Sequence, residues 1–227
     1  MKEIQEVCLD ELTESYPKLA GIRPDIQKAY LRLCECFMKG NRLFICGNGG
    51  SAADSLHIVG ELMKEFMVKR PVDAETTEKL CRMYPGEARE LIENLQGALP
   101  AYALPCNAAL SSAYANDVNC EYEFAQQVYG YAKSGDVLFA LSTSGNAKNV
   151  VAAAKIARCK GLGTIAVTGR DGGKLKDVCD IVIAVPARET YRIQELHLPV
   201  YHTLCRMLEL RFFGKAELDA ADKILQG

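Results

Sequence analysis

Short apolar runs alternate with longer amphipathic stretches along most of the chain. The runs have the length and composition of β-strands and lie at residues 42–46, about 101–105, 136–141, 163–168 and 180–185. Helical patterns occupy residues 51–66, 108–131, 146–160, 172–178 and about 190–213. This alternation predicts an α/β fold: a three-layer, doubly wound sandwich with a five-stranded, mainly parallel sheet covered by helices on both faces.

Two further segments complete the predicted organisation. Residues 1–20 and 24–39 read as N-terminal helices, the second opened by Pro24 and closed by Gly40. A less regular stretch follows residue 70, with a Pro85-Gly86 break and a helical pattern only from Glu87 to Leu95. It has too little apolar periodicity for a domain of its own, so we interpret residues 71–99 as an insertion or lid within one domain spanning 1–227.

Composition narrows the class of protein. The chain has 227 residues and a formal net charge of −2, which provides no basic field for nucleic acid or a membrane surface. Its ten cysteines include no CxxC pair and lie mostly in helical or strand-like segments, so we expect reduced thiols, most of them buried, in a cytoplasmic protein. No apolar run approaches the ~18 residues of a membrane span.

Two loops of small and hydroxyl residues follow apolar runs and precede helical patterns. The first is GNGGSAAD, residues 47–54, and the second is STSGN, residues 142–146. In a parallel sheet both would lie at the carboxyl edge, where helix N-termini offer free N–H groups to an anion such as phosphate. The alternative is that both are ordinary βα turns with N-caps.

The first loop does not predict a nucleotide site. Gly47, Gly49 and Ala52 formally satisfy the dinucleotide fingerprint, but no strand ending in an acidic residue follows about 20 residues later. A Walker A lysine is also absent, because Ser51-Ala52 occupies its place. We therefore expect no nucleotide cofactor.

The chain has three histidines, His57, His197 and His202. His57 and Glu61 are four residues apart and project from one helical face, where imidazole and carboxylate suit a divalent metal or acid/base chemistry. The alternative is an exposed helix pair with no chemical role. The last helical segment carries Gln194 and Glu195 together with the other two histidines.

These residues together resemble the sugar isomerase (SIS) domain family, most closely the phosphoheptose isomerases, which interconvert sedoheptulose 7-phosphate and D-glycero-D-manno-heptose 7-phosphate. The resemblance covers residues 24–213 apart from the insertion. Its most specific segments are GNGGSAADSLHIVGEL (47–62), AND (115–117), GDVLFALSTSGNAKNV (135–150), TGRDGGKL (168–175) and RIQELHLPVYH (192–202).

The resemblance implies a homotetramer with active sites between subunits, a phosphorylated sugar as substrate and one zinc ion per site. The positions that match metal ligands are His57, Glu61, Gln194 and His202, of which Glu61 and His202 also match the proton-transfer pair. Substrate-binding positions are matched by Asn48, Gly49, Gly50, Ser51, Glu61, Asn116, Asp117, Ser142, Thr143, Ser144 and Gln194. The chain departs from the family at Ala147, usually a phosphate-binding serine, and at Lys64-Glu65, usually Gly-Arg.

The implied chemistry is physically reasonable. Moving a carbonyl between C1 and C2 requires a base to remove a carbon-bound proton, and Glu61 suits that role if desolvation raises its basicity. Zinc would polarise the carbonyl and stabilise the developing oxyanion. One carboxylate can hardly be a tight zinc ligand and a free base at once, so we expect Glu61 and His202 to share the proton transfers.

The spacing in the last helix raises a geometric question. Gln194 and His202 are eight residues apart, about 12 Å along a regular helix, so both reach one ion only with converging side chains or a distortion. A kink at Pro199 or a ligand from a neighbouring chain would resolve this, and His197 is a further candidate.

Two other functions stay open at this point. A non-catalytic SIS module that senses a sugar phosphate or binds a protein partner would need the phosphate loops but not Glu61, Gln194 and His202, all of which are present. An isomerase of another phosphorylated ketose would carry the same residues.

Overall fold

The computed structural model describes residues 4–225, with the side chains of residues 5–214. Its five strands are β1 (Leu43–Cys46), β2 (Ala101–Ala103), β3 (Val137–Ser142), β4 (Gly163–Thr168) and β5 (Ile181–Ala184). They form one sheet in the order β2-β1-β3-β4-β5, and every neighbouring pair is parallel. The α/β prediction is confirmed, and the sheet is wholly rather than mainly parallel.

The described part of the chain contains ten α-helices. They are α1 (Ile4–Ser15), α2 (Arg23–Met38), α3 (Gly50–Met63), α4 (Ala74–Met83), α5 (Ala88–Asn94), α6 (Ala108–Tyr114), α7 (Glu123–Tyr131), α8 (Lys148–Cys159), α9 (Leu175–Val178) and α10 (Thr190–Leu225). None of the described helices is long and apolar enough to cross a membrane.

Side chains alternate between two cores because the strand period is two. On β1, Leu43 and Ile45 enter a core with α1, α2, α3 and α10, whereas Phe44 and Cys46 enter a core with α7, α8 and α9. The same alternation continues on β3 and β4. The result is the predicted three-layer arrangement.

Several boundaries differ from the prediction. The first three residues of the predicted helix 1–20 lie outside the described residues, and that helix ends at Ser15, before a 3₁₀ turn at Pro17–Ile22. The predicted continuous helix 108–131 is also wrong. A π-helical segment, Ala115–Asn119, and a 3₁₀ turn, Cys120–Tyr122, separate α6 from α7. Asn119 is extended there, and its side chain accepts from the N–H of Glu121, which replaces a helical hydrogen bond.

The segment at 71–99 contains one helix more than predicted. Helix α5 matches the pattern from Glu87, but α4 was not predicted. Asp73 caps α4 by accepting from the N–H of Thr76, and the helix buries none of its side chains. A capping acid without an apolar stripe gives a weak sequence signal, which explains the omission.

Cysteine burial is lower than predicted. Five of the ten cysteines are buried, one is partly buried and four are exposed. The exposed ones are Cys81, Cys106, Cys120 and Cys159, so membership of a helical segment was a poor guide to burial.

Helices α3 and α10 lie side by side and run in the same direction. Near their N-termini Gly50 meets Gln194, in the middle His57 meets Tyr201, and beyond the end of α3 the N–H of Phe66 binds Glu209. This register places the chemically interesting residues of the two helices along one seam.

Candidate active site

Both loops predicted to bind an anion lie at the point where the strand order of the sheet reverses. The first follows β1 and the second follows β3, and these strands are neighbours in the sheet. Connections leave adjacent strands in opposite directions at such a point, which opens a crevice at the carboxyl edge. The chain therefore places the two loops on either side of one crevice.

The first loop turns sharply into α3. Gly49 has a φ of 55°, a left-handed conformation that favours glycine, and it precedes the first residue of the helix. Asn48 and Gly50 are exposed, while Ser51 is buried. The N–H groups of Ser51 and Ala52 donate to the carbonyls of Asn48 and Gly49, which leaves the N–H of Gly50 without a partner among the described residues.

The second loop is held by its own backbone. Gly145 has a φ of 65° and donates its N–H to the carbonyl of Ser142, while Ser144 Oγ accepts from the N–H of Asn146. A Cβ at Gly145 would overlap the backbone of Gly172, so only glycine fits. Ser142 is buried, Thr143 is partly buried and Ser144 is exposed.

A cluster of polar side chains lies further along the seam between α3 and α10. His57 Nε2 is 3.1 Å from Glu61 Oε1, and the His57 ring meets the His202 ring edge to face with centroids 5.0 Å apart. On its other side, His57 Nδ1 is 3.0 Å from the Tyr201 hydroxyl, which donates to Asp54 Oδ1 at 3.2 Å. The predicted proton-transfer residues therefore lie around one imidazole.

The hydrogen bonds that link Asp54, Tyr201 and His57 fix the tautomer of His57. Because the Tyr201 hydroxyl gives its proton to Asp54, it is left to accept from His57 Nδ1–H. His57 Nε2 then carries no proton in the neutral ring, so its contact with Glu61 needs a proton or a cation between the two atoms.

Two buried polar atoms in the cluster have no hydrogen-bond partner among the described residues. These are Glu61 Oε2 and His202 Nε2. Burial, together with the neighbouring His57, lowers the pKa of His202. A neutral imidazole and a carboxylate oxygen without protein partners are available for a ligand or for proton transfer.

The side chains of His57, Glu61 and His202 are of the types that bind zinc. No three His, Cys, Asp or Glu side chains among the described residues stand in a finished metal-binding arrangement. The 3.1 Å between His57 Nε2 and Glu61 Oε1, however, is close to the ~3.3 Å expected between two ligands of a tetrahedral zinc with bonds of about 2.0–2.1 Å. These two atoms therefore have the spacing of two zinc ligands, but together with His202 they do not form a three-ligand group in the described part of the chain.

Gln194 lies at the other end of the seam. A Cβ added at Gly50 would overlap Gln194 Nε2, which places this amide against the first turn of α3. His57 is seven residues further along α3, about 10 Å away along the helix axis. The structure therefore brings His57, Glu61 and His202 together and places Gln194 beside the first loop.

His197 does not join the cluster. It is fully buried, neither ring nitrogen has a hydrogen-bond partner among the described residues, and burial lowers its pKa to about 4. Helix α10 is assigned continuously through Pro199, whose carbonyl accepts from the Thr203 hydroxyl. His57 and His202 meet within one chain.

Asn116 and Asp117 lie in the π-helical segment that follows α6. Asn116 Nδ2 donates to Asp117 Oδ1 at 2.7 Å, and both residues are exposed. Within the described part of the chain, neither has a hydrogen bond to the two loops. Their role in binding substrate stays a prediction.

Sequence reasoning missed four residues that support the site: Asp54, Tyr201, Arg70 and Asn149. Asp54 precedes His57 by three residues and so shares its helical face, which is a signal that could have been used. Tyr201 and Asn149 bind partners more than one hundred residues away, and Arg70 binds the carbonyl of Glu61 from nine residues beyond it, outside the helix, so no helical period links these three to their partners.

Comparison with known proteins agrees with this geometry. A SIS domain family model matches residues 86–169. Phosphoheptose isomerase from Akkermansia muciniphila is 36% identical over 204 residues, which is 89% of this chain and 94% of that protein. The phosphoheptose isomerase from Crocosphaera subtropica is 40% identical over 184 residues, 81% of each chain.

Solved structures give the same result. A phosphoheptose isomerase from Neisseria gonorrhoeae superposes with a TM-score of 0.65 at 30% identity, covering 90% of this chain and 98% of that one. One from Francisella tularensis gives a TM-score of 0.68 at 25% identity, covering 92% and 99%.

The parallel sheet and the two loops at its switch point thus define a SIS-domain protein. The relatives define it further, because they match nearly the whole fold at 36% and 40% identity. The chain belongs to the phosphoheptose isomerase family, and it is an enzyme, an aldose–ketose isomerase.

Proposed function

We propose that this enzyme converts sedoheptulose 7-phosphate to D-glycero-D-manno-heptose 7-phosphate. One observation carries the proposal: the helix that begins at the first anion-type loop also carries His57 and Glu61, and α10 brings His202 to the same place. A phosphate at the start of α3 and a carbonyl near His57 would be separated by about 10 Å. That distance favours an extended sugar of several carbons over a triose.

The phosphate group would bind in the crevice between the loops. The N–H of Gly50 at the start of α3, which has no partner among the described residues, favours an anion, and the hydroxyls of Ser142, Thr143 and Ser144 add neutral donors. These groups hold the substrate by its phosphate and leave the carbonyl end free to reach the cluster.

Glu61 and His202 would divide the proton transfers. Glu61 removes the proton from C1 of the ketose and returns it to C2, which converts the ketose through an enediol to the aldose. Neutral His202 moves the hydroxyl proton from O1 to O2 in the same conversion. The unpartnered Glu61 Oε2 and His202 Nε2 support these assignments.

Zinc is the proposed cofactor, one ion per active site, held by His57, Glu61 and His202, with Gln194 as the fourth ligand carried over from the family. Because Glu61 and His202 also carry out the proton transfers, we propose that the ion shifts or only partly occupies the site during turnover. When bound, the ion would supply polarisation of the carbonyl and stabilisation of the oxyanion. Gln194 lies against Gly50, about 10 Å from His57 along the helix axis, so its role as a ligand would need a distortion of α10 or the Gln194 of a neighbouring chain.

The test is turnover of sedoheptulose 7-phosphate, with other ketose phosphates for comparison and metal analysis of the purified protein. Glu61→Gln should lose turnover by a factor of about 10²–10⁴, as expected for loss of a general base. Glu65→Gln, at an exposed neighbouring carboxylate, is the matched control and should keep full activity. Normal turnover by Glu61→Gln would refute the base assignment, and turnover of no ketose phosphate by the wild type would favour a binding module.

We also propose that the enzyme is a homotetramer with active sites between subunits. The support is a group of exposed apolar side chains: Leu56 and Met63 on α3 are 48% and 44% exposed, and Met67, in the segment after α3, is 59% exposed. Light scattering coupled to gel filtration should give four times the 24.9 kDa chain mass. A monomer would refute this proposal.

A further inference from the structure

A reciprocal pair of amides joins the two sides of the crevice. Asn48, in the first loop, donates from Nδ2 to Asn149 Oδ1 at 2.9 Å, and Asn149 donates from Nδ2 to Asn48 Oδ1, also at 2.9 Å. Asn149 lies in the first turn of α8, directly beyond the second loop. The two residues are 101 positions apart in the chain.

All polar atoms of the Asn149 amide are engaged. Its Oδ1 also accepts from the N–H of Val150 at 3.0 Å, and its Nδ2 also contacts Glu123 Oε1 at 3.4 Å. These contacts from α7 and α8 fix which end of the amide is oxygen and which is nitrogen. Asn149 is therefore held in one orientation by groups outside the crevice.

This orientation dictates what Asn48 can offer a ligand. Its Oδ1 and one of its two N–H groups are paired with Asn149, which leaves one N–H without a partner among the described residues. A free asparagine amide could turn its carbonyl oxygen towards an anion and repel it. The paired amide presents a donor instead, beside the N-terminus of α3.

We propose that Asn149 is a positioning residue for phosphate binding: it locks the Asn48 side chain so that only an N–H faces the anionic end of the substrate. Asn149 acts through Asn48 and does not itself contact the phosphate. This inference rests on the proposed function for its substrate, a sugar phosphate, but its geometry is independent of zinc and of the proton-transfer residues.

The experiment is a double-mutant cycle on binding. Calorimetry measures the dissociation constants of inorganic phosphate and of sedoheptulose 7-phosphate for the wild type, Asn48→Ala, Asn149→Ala and the double variant. Each single change should weaken the binding of both ligands about ten- to hundredfold, as expected for one hydrogen bond to a charged group. The double variant should be no weaker than Asn48→Ala, because Asn149 acts only through Asn48.

Two further variants keep the cycle interpretable. Asn149→Asp is nearly isosteric, so it should fold, yet it has no donor for Asn48 Oδ1 and adds negative charge beside Glu123. It should weaken phosphate binding more than Asn149→Ala does. Asn94→Ala, which removes an exposed amide on α5 that donates to the Glu90 carbonyl, is the control and should bind like the wild type.

The outcomes separate the inference from the proposed function. Wild-type affinity in Asn149→Ala, or additive losses in the double variant, overturns the positioning role. If the variants bind phosphate with the affinities expected above but the wild type turns over no sugar phosphate, the proposed function is wrong and the positioning role of Asn149 still holds. A wild type that binds neither ligand overturns both.

Discussion

Arg70 and Glu209 form an ion pair from which water is excluded. Both side chains are fully buried, and Arg70 Nε donates to Glu209 Oε1 at 2.8 Å. Arg70 also donates to the carbonyls of Glu61 and Leu62, and Glu209 accepts from the N–H groups of the segment that follows α3. The pair thus closes the last turn of the helix that carries Glu61 and joins it to α10.

Breaking this pair should destabilise the protein and impair catalysis together. We expect Glu209→Gln to lower the free energy of unfolding by about 3–5 kcal/mol, because it leaves the Arg70 charge buried without its counter-ion. Turnover should also fall, since the α3 end that positions Glu61 loses its anchor. Urea denaturation and steady-state kinetics measure the two effects.

A surface pair provides the control for this prediction. Arg89 and Glu93 are exposed on α5, so Glu93→Gln should change stability by less than about 1 kcal/mol. Replacing both buried partners, Arg70→Met with Glu209→Met, should not recover the stability lost in Glu209→Gln, because the backbone groups that the pair binds would lose their partners. Equal stability of Glu209→Gln and the wild type would contradict the interpretation.

Tyr201 should control the metal affinity of His57. Tyr201→Phe removes the acceptor of His57 Nδ1–H, so the ring is no longer held in the tautomer that exposes Nε2. Loss of such an outer partner typically lowers metal affinity by a factor of about 10–100. Zinc titration against a chromophoric chelator measures this, with Tyr191→Phe at an exposed tyrosine as the control. Unchanged zinc affinity in Tyr201→Phe would show that the hydrogen bond does not orient a ligand.

Much of the fold could be predicted because its signals are local. The strands are apolar runs bounded by glycine or polar residues, and the loops after β1 and β3 carry their own phosphate-type composition. Once the strands alternate with helices, a parallel sheet with both loops at its carboxyl edge follows. The proximity of His57 and Glu61 could be predicted because residues four apart lie on the same face of a helix.

The remaining features depend on contacts between distant segments. The pairings of Asn48 with Asn149, of His57 with Tyr201 and of Arg70 with Glu209 each span more than one hundred residues. No local periodicity encodes them. The break after α6 was missed for a different reason, because Asn119 forms a side-chain hydrogen bond that competes with a helix its neighbours would otherwise continue.

His197 should make the protein acid-sensitive. Burial lowers the pKa of His197 to about 4, whereas the unfolded chain titrates near its ordinary value of 6.5. Between these values the unfolded state binds one more proton, so stability falls as the pH drops from about 6.5 to about 4, by ~3 kcal/mol in total.

Denaturation across this pH range tests the assignment. His197→Leu should reduce the slope of stability against pH, because it removes the group that must stay neutral in the core. Some slope should remain, since burial also lowers the pKa of His202. An identical slope in His197→Leu and the wild type would show that His197 does not cause the acid sensitivity.

Replacing Ala147 by serine should either stabilise the protein or tighten its binding of the sugar phosphate. It is the N-cap of α8 and makes no capping hydrogen bond, while the family usually has a phosphate-binding serine there. Ala147→Ser should stabilise the protein by about 0.5–2 kcal/mol if its hydroxyl caps the helix, or lower KM for the sugar phosphate about fivefold if it faces the crevice. Thermal denaturation and kinetics distinguish the two results, because one hydroxyl proton cannot serve the phosphate while its oxygen points back into the helix. Ala152→Ser, within α8, controls for adding a hydroxyl to the same helix. If Ala147→Ser changes neither quantity, water already supplies the missing donor at this position.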